Sequence, residues 1–96
     1  MRKIFKGQTA LRITLNTFIS LEGVEKAVIR YRKPNKRTGE FVAVLGDSAS
    51  GLISYEAKDG DIDVSGWWVF WAFLTFMDGR TAPGEASRVF VWEQGK

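Results

Sequence analysis

Cysteine and histidine are both absent from this sequence of 96 residues. Without cysteine the chain has no disulfide, no thiolate metal site and no thiol nucleophile. Without histidine it lacks the usual general base and the commonest metal ligand. A hydrolase or a metalloenzyme would have to work with carboxylates and lysines alone. The sequence therefore predicts a protein that is not an enzyme and that carries no cofactor and no metal.

Long apolar runs are missing as well. The most apolar stretch, Trp67–Met77, has one hydroxyl and no charge, but it is too short for a membrane-spanning helix, which needs about 20 residues. Residues 1–16 contain no apolar run of signal-peptide length and no small-residue cleavage site. We therefore expect a protein that is made in the cytoplasm and has no contact with a membrane.

The composition is that of an ordinary small globular protein. Hydrophobic residues make up 45% and charged residues 26% of the chain, and the net charge is only +3. The length is close to the commonest domain size. We expect one domain that covers residues 1–96.

Alternation of apolar and polar residues dominates the chain and predicts strands. Asp78-Gly79 is a strong hairpin signal, because both residues tolerate a positive φ. Several short strands at regular spacing, with no long helix, predict a β-sandwich or a β-barrel. The predicted strands lie in ALRITLN, VEKAVIRYRK, EFVAVLG, GLISYEA, residues 67–77 and ASRVFVWE, with a further short strand in KIFK.

The strand at residues 67–77 has two large apolar faces, although only one face of a sheet in a sandwich meets the core. One face carries Trp68, Phe70, Ala72, Leu74 and Phe76, and the other carries Trp67, Val69, Trp71, Phe73, Thr75 and Met77. The small side chain of Ala72 indicates that the first set points inward. In the next strand Val89 and Val91 are predicted to point inward, so that Phe90 and Trp92 lie outside, beside Trp71 and Val69.

The outward positions of these strands form a candidate protein interface. Such a cluster of large rings is at or above the largest apolar patch usual on a monomer, and aromatic residues and arginine are enriched in interfaces. The alternative is that the N-terminal segment, with Ile4 and Phe5, covers this face. The predicted interface residues are Val28, Arg30, Arg32, Val69, Trp71, Phe73, Arg88, Phe90 and Trp92.

Three other features suggest weaker hypotheses. A basic run at a hairpin tip, Arg30–Arg37, allows nucleic-acid binding, but the small net charge favours a solvated hairpin. The exposed tryptophans could stack on sugars, but few polar partners accompany them, so this ranks below protein contact. Asp59, Asp61 and Asp63 have the spacing that opens a calcium loop. Val64 and Phe70 stand where that loop needs glycine and glutamate, so turn chemistry is favoured instead.

Three stretches carry a resemblance to a known family. ITLNTFISLEGVEKAVIRYRKP, YEAKDGDIDVSGWWVFWAF and TFMDGRTAPGEASRVFVWE occur in this order over most of the chain. They resemble the small immunoglobulin-like proteins of tailed bacteriophages and prophages, and are similar to the N-terminal domain of the phage baseplate upper protein. The resemblance implies an all-β, immunoglobulin-like antiparallel sandwich of about seven strands, with Trp68 as its core tryptophan.

The resemblance also implies a function. It points to a non-catalytic structural module of the virion tail or baseplate, made in the host cytoplasm, whose partner is a protein. That partner is either a second copy, in a homo-oligomer, or another virion protein. Relatives tend to carry polar residues where this chain has Val69, Trp71, Phe90 and Trp92, which indicates a contact particular to this protein. The alternative function is a binding module for polysaccharide or nucleic acid.

Overall fold

The computed structural model describes residues 3–95, and within them it contains strands and no helix. The fold is an all-β, immunoglobulin-like sandwich, as the sequence predicts. Along the described residues, therefore, no helix is long and apolar enough to cross a membrane. The strands are β1 (Ile4–Phe5), β2 (Arg12–Asn16), β3 (Val24–Arg32), β4 (Thr38–Val42), β5 (Val44–Leu45), β6 (Leu52–Glu56), β7 (Gly66–Phe76), β8 (Thr81–Pro83) and β9 (Ser87–Trp92).

The strands form two sheets of unequal size. The larger sheet has the order β1-β9-β7-β3-β4, with β8 also paired to β7, and the smaller sheet has the order β2-β6-β5. The pairings are antiparallel except for that of β1 with β9, which is parallel. We call the side of the larger sheet that points away from the smaller sheet the outer face.

Strand β7 lies at the centre of the larger sheet, and its successive side chains point alternately into the core and onto the outer face. Trp68, Phe70, Ala72 and Leu74 are buried, whereas the residues between them are half-buried. Trp68 is 0% exposed, and its indole N–H donates a hydrogen bond of 2.9 Å to the Val64 carbonyl oxygen. The inward set predicted from the alternation is therefore confirmed at these positions, and Trp68 is a core residue.

One predicted strand is divided in the structure, and one strand that the sequence does not predict, β8, is present. The segment EFVAVLG contributes β4 to the larger sheet and β5 to the smaller sheet, and the chain changes sheets at Ala43. The segment after the Asp78-Gly79 turn first pairs with β7 as β8 and then, after an interruption at residues 84–86, pairs again as β9. Gly84 holds this interruption in place, because its N–H donates to the Ala72 carbonyl oxygen at 2.8 Å.

The predicted register between β7 and β9 is wrong. Phe90 lies opposite Trp67, and Arg88 lies opposite Val69; Phe90 and Trp92 therefore do not flank Trp71 and Val69. The reason lies in the interruption at residues 84–86. Beside the turn, β7 and β8 pair Thr75 with Thr81 and Phe73 with Pro83. After the interruption the pairing is shifted by one residue, so that β9 pairs Phe70 with Ser87 and Trp67 with Phe90.

Candidate binding site on the outer aromatic face

The nine residues predicted as an interface lie on or border the outer face. Strand pairing places Val28 opposite Phe73, Arg30 opposite Trp71 and Arg32 opposite Val69. Because facing residues of neighbouring strands share one side of a sheet, these six residues belong together. Arg88 joins them opposite Val69, and Phe90 and Trp92 follow on the same side of β9. Whether this surface is a protein interface stays a prediction.

The nine residues differ in how far they reach solvent. Val28 is only 3% exposed, since it lies between Val42 and Phe73 in the sheet, and it offers almost no surface to a partner. Trp71 and Phe73 are half-buried. The most exposed ring of this face is one that the predicted interface omitted, Trp67, at 51% exposure. The accessible aromatic surface is therefore displaced toward β9.

Three aromatic rings form a row across β7 and β9. The ring centroids of Trp67 and Phe90 are 5.1 Å apart at an interplanar angle of 74°, and those of Phe90 and Trp92 are 4.8 Å apart at 71°. Both contacts are edge-to-face, the geometry that the quadrupoles of aromatic rings favour. The row follows from the register, because Phe90 faces Trp67 across the sheet.

A cation stands at each end of this aromatic row. The guanidinium carbon of Arg88 lies 4.5 Å from the ring centroid of Trp67, and the ammonium nitrogen of Lys3 lies 4.2 Å from that of Trp92. These are cation–π distances. Among residues 3–95 neither cation has an ion-pair partner, whereas Arg30, on the same face, pairs with Glu40 at 3.6 Å.

The row and its two cations line a groove of about 460 Å³. This volume is within the range of about 300–1,000 Å³ that is common for small-ligand sites. Ile4 and Val89 contribute the remaining apolar surface, and the lining contains no carboxylate. We call this cavity the aromatic groove; it is lined by Lys3, Ile4, Trp67, Arg88, Val89, Phe90 and Trp92.

The N-terminal segment does not cover the outer face in the part of the chain that the structure describes. Ile4 and Phe5 extend the larger sheet as β1, pairing with Val91 and Trp92 at the edge of β9. The Ile4 side chain packs against the core cluster, and it also lines the groove. The alternative in which Ile4 and Phe5 form a lid over the aromatic rings is therefore wrong.

Sequence reasoning missed four groove residues: Lys3, Ile4, Trp67 and Val89. A signal for Trp67 was present, because it shares the outward alternation of Trp71 on the same strand. Val89 is predicted to point inward and does pack against the core, yet it also reaches the groove from the edge of β9. Lys3 and Ile4 have no local signal, because their positions depend on the parallel pairing of β1 with β9.

The basic hairpin and the aspartate cluster take part in local structure. Lys33 forms an ion pair of 2.8 Å with Asp63. Asp61 accepts hydrogen bonds from the Tyr55 hydroxyl at 2.6 Å and from the Lys58 N–H at 2.7 Å. Burial, followed by the hydrogen bond to Asp61, raises the pKa of Tyr55 to about 12. These aspartates thus stabilise the corner before β7, the turn chemistry that the sequence favours.

Comparison with known proteins finds one fold neighbour to report. No protein-family model and no curated protein sequence matches the chain. The crystal structure of CopC from Methylosinus trichosporium OB3b matches with a TM-score of 0.62 and 14% identity, over 98% of this chain and 87% of that one. CopC is a copper-binding periplasmic protein. At this identity the likeness shows the fold.

This neighbour corrects the expectations that came from the phage resemblance. The assignment to baseplate-like proteins is wrong, because the fold neighbour is CopC and no sequence or family match indicates a phage origin. The predicted function as a tail or baseplate assembly module is contradicted with it, and the alternative of a polysaccharide or nucleic-acid module gains no support. The location in host cytoplasm and virion is also contradicted, since CopC is periplasmic.

The predicted partners need the same correction. A virion protein or a second copy, to the exclusion of metal, is contradicted because a protein of this fold binds copper. The donors of the present chain are nevertheless poor copper ligands. Copper favours imidazole, thiolate and thioether groups, but the sequence has neither histidine nor cysteine, and its thioethers are those of Met1 and Met77 alone. Over residues 3–95 no three carboxylates cluster as a metal site. The residues therefore do not fit a copper centre, and what the chain shares with CopC is the β-sandwich.

Proposed function

We propose that this protein is a non-catalytic binding domain, formed by residues 1–96 as a single unit, that holds its ligand on the outer face of the larger sheet. The observation that carries this proposal is the aromatic groove. An edge-to-face row of Trp67, Phe90 and Trp92 borders a cavity of about 460 Å³ and ends in a cation on each side.

The chemistry of the groove favours binding. Aromatic rings and aliphatic side chains contribute apolar area, which stabilises a complex by about 25 cal/mol for each Å² removed from water, before the costs of association. Half-buried rings supported by the sheet lose little conformational freedom when a ligand arrives. The ionisable groups that line the groove are the cations Lys3 and Arg88. Their role in a binding site is to orient and hold the ligand.

The predicted interface extends this surface along the outer face. We infer that Val69, Trp71 and Phe73, with the arginines beside them, add contact area when the ligand is larger than the groove. The position of these residues supports this inference, because they lie on the same face as Trp67 and Phe90. Trp71→Glu tests this part alone, since Trp71 does not line the groove.

A neutral apolar dye tests the proposed function. N-phenyl-1-naphthylamine becomes fluorescent in apolar surroundings, and we expect the wild-type protein to bind it saturably. Phe90→Ala removes the central ring of the row and should weaken binding about tenfold, a loss of about 1.4 kcal/mol. Circular dichroism verifies that the variant keeps its fold.

The matched control is Val44→Ala on the smaller sheet, where Val44 is an apolar residue with 67% exposure. This variant should bind the dye as the wild type does. If the wild type fails to bind the dye, or if Phe90→Ala and Val44→Ala bind it equally well, the aromatic groove is not a binding site and the proposed function is wrong.

A further inference from the structure

We infer that the ligand of the aromatic groove is an amphipathic anion: a small molecule with an aromatic or alkyl body and one acidic group such as a carboxylate or a sulfonate. This inference rests on the proposed function and adds the chemical class of the ligand. The apolar lining selects the body, and the two cations at the ends of the row select the charge.

The apolar body follows from the row of rings. Trp67, Phe90 and Trp92 meet edge to face, and all three rings line the groove. A flat or flexible hydrocarbon in the groove can contact them in offset-stacked or edge-to-face geometry, both of which aromatic rings favour. Ile4 and Val89 complete an apolar lining, against which a polar ligand would lose water without gaining a hydrogen bond.

The acidic group follows from Arg88 and Lys3. Each cation lies over a ring, at 4.5 Å from Trp67 and 4.2 Å from Trp92. A guanidinium at cation–π distance from a ring still carries N–H donors, and these bind a carboxylate or a sulfonate in a two-pronged fashion. Since neither cation pairs with a carboxylate along residues 3–95, a bound anion meets donors that are already in place.

The same charges favour anions over other ligands of similar shape. A cationic ligand would be repelled from both ends of the groove and would find no carboxylate in its lining. A neutral ligand gains the apolar contacts but leaves both cations without a counter-charge. An anion with an apolar body gains both the apolar contacts and the attraction to the two cations. Hydrogen bonds to charged groups also contribute more than neutral ones. The groove therefore discriminates by charge among ligands of similar shape.

Two dyes that share one apolar body test this inference. 1-Anilinonaphthalene-8-sulfonate is N-phenyl-1-naphthylamine with an added sulfonate. The double variant Lys3→Gln/Arg88→Gln removes both groove cations. We expect it to weaken binding of the sulfonate about tenfold and to leave binding of the neutral dye within about twofold of wild type. Higher ionic strength should weaken binding of the sulfonate and leave the neutral dye unchanged, because salt screens exposed charges.

The matched control removes the same amount of charge at the other end of β7. Lys26 lies opposite Thr75, and Arg80 follows the Asp78-Gly79 turn. Lys26→Gln/Arg80→Gln should bind both dyes as the wild type does. Equal loss of sulfonate binding in both double variants would show that net charge alone is responsible, and no loss in either would show that the groove ignores charge.

Either of these results overturns the anion inference. The proposed function is judged separately, by the neutral dye and Phe90→Ala. If the neutral dye depends on Phe90 while the sulfonate ignores Lys3 and Arg88, the binding domain stands and its ligand class is wrong. If neither dye depends on Phe90, both proposals fail together.

Discussion

At the scale of the residue, neighbouring tryptophans show how position in a strand decides the role of a side chain. Trp68 is 0% exposed and lies in the core, whereas Trp67, one residue earlier, is 51% exposed and lines the aromatic groove. The two residues are chemically identical, and only the alternation of the strand separates them. This part of the site could be predicted from the sequence, since parity alone places Trp67 outside.

The ionisation of Tyr55 depends on the fold. Its ring stacks on Phe41 with centroids 4.4 Å apart, and its hydroxyl donates to the Asp61 carboxylate at 2.6 Å. Burial, and then this hydrogen bond, raises the pKa of Tyr55 to about 12 from an ordinary value of about 10. The folded protein therefore retains a proton that the unfolded chain releases above about pH 10.

This difference makes the free energy of unfolding depend on pH in a defined direction. The contribution of the neutral Tyr55 is complete below about pH 10 and is lost as the pH rises toward 12. We expect the advantage of the wild type over Tyr55→Phe to be constant below about pH 10 and to shrink above it. Urea unfolding of both proteins from pH 8 to 12 measures this, and an advantage that stays constant up to pH 12 would contradict it.

At the scale of the element, the sequence predicts strands better than their partners. The alternation in EFVAVLG identifies extended chain, but it does not show that the chain leaves the larger sheet at Ala43 and joins the smaller one. Which sheet edge is free depends on strands far away in sequence. The pairing of β1 with β9 is equally non-local, and for that reason Lys3 and Ile4 could not be placed in the site beforehand.

The pairing of β3 with β4 makes a prediction about Gly39. Gly39 faces Tyr31 across the pair, and a β-carbon at Gly39 would lie 2.6 Å from the Tyr31 Cζ. The ring cannot easily move away, because it packs against Phe41 and Trp68 at centroid distances of 4.7 and 5.4 Å. We expect Gly39→Ala to lower the free energy of unfolding by about 1–3 kcal/mol, the usual cost of overpacking.

Urea unfolding measures this effect, with Thr38→Ala as the control at the neighbouring exposed position of the same strand. Thr38→Ala should change stability by less than about 0.5 kcal/mol, as is usual for surface positions. If Gly39→Ala is as stable as the wild type, there is room for a β-carbon beside Tyr31, and the packing described for this pair is wrong.

At the scale of the whole molecule, both sheets contribute to the core, and the outer face of the larger sheet provides the candidate binding surface. The smaller sheet covers the inner side of the larger one, and Ile13 and Ile53 from the smaller sheet meet Trp68, Phe70 and Leu74 in one cluster. The outer face is left free to carry the aromatic groove. The sequence predicts this division because both faces of β7 are apolar, but the shape of the groove depends on the register and on β1.

The proposal of a single unit predicts one cooperative unfolding transition. A chain of about 100 residues that unfolds as a whole should have an enthalpy of about 60–80 kcal/mol at its midpoint, with the calorimetric and van't Hoff values equal. Differential scanning calorimetry measures both. Two resolved transitions, or a calorimetric enthalpy clearly larger than the van't Hoff value, would mean that residues 1–96 contain more than one folding unit.

The most direct test of the central claim uses the indole N–H signals of the four tryptophans in a nitrogen–proton correlation spectrum. During titration with 1-anilinonaphthalene-8-sulfonate, the signals of Trp67 and Trp92 should shift and saturate together. Those of the core residue Trp68 and of Trp71, which lies outside the groove, should stay in place. Stationary signals from Trp67 and Trp92, or a shift confined to Trp71, would contradict binding in the aromatic groove.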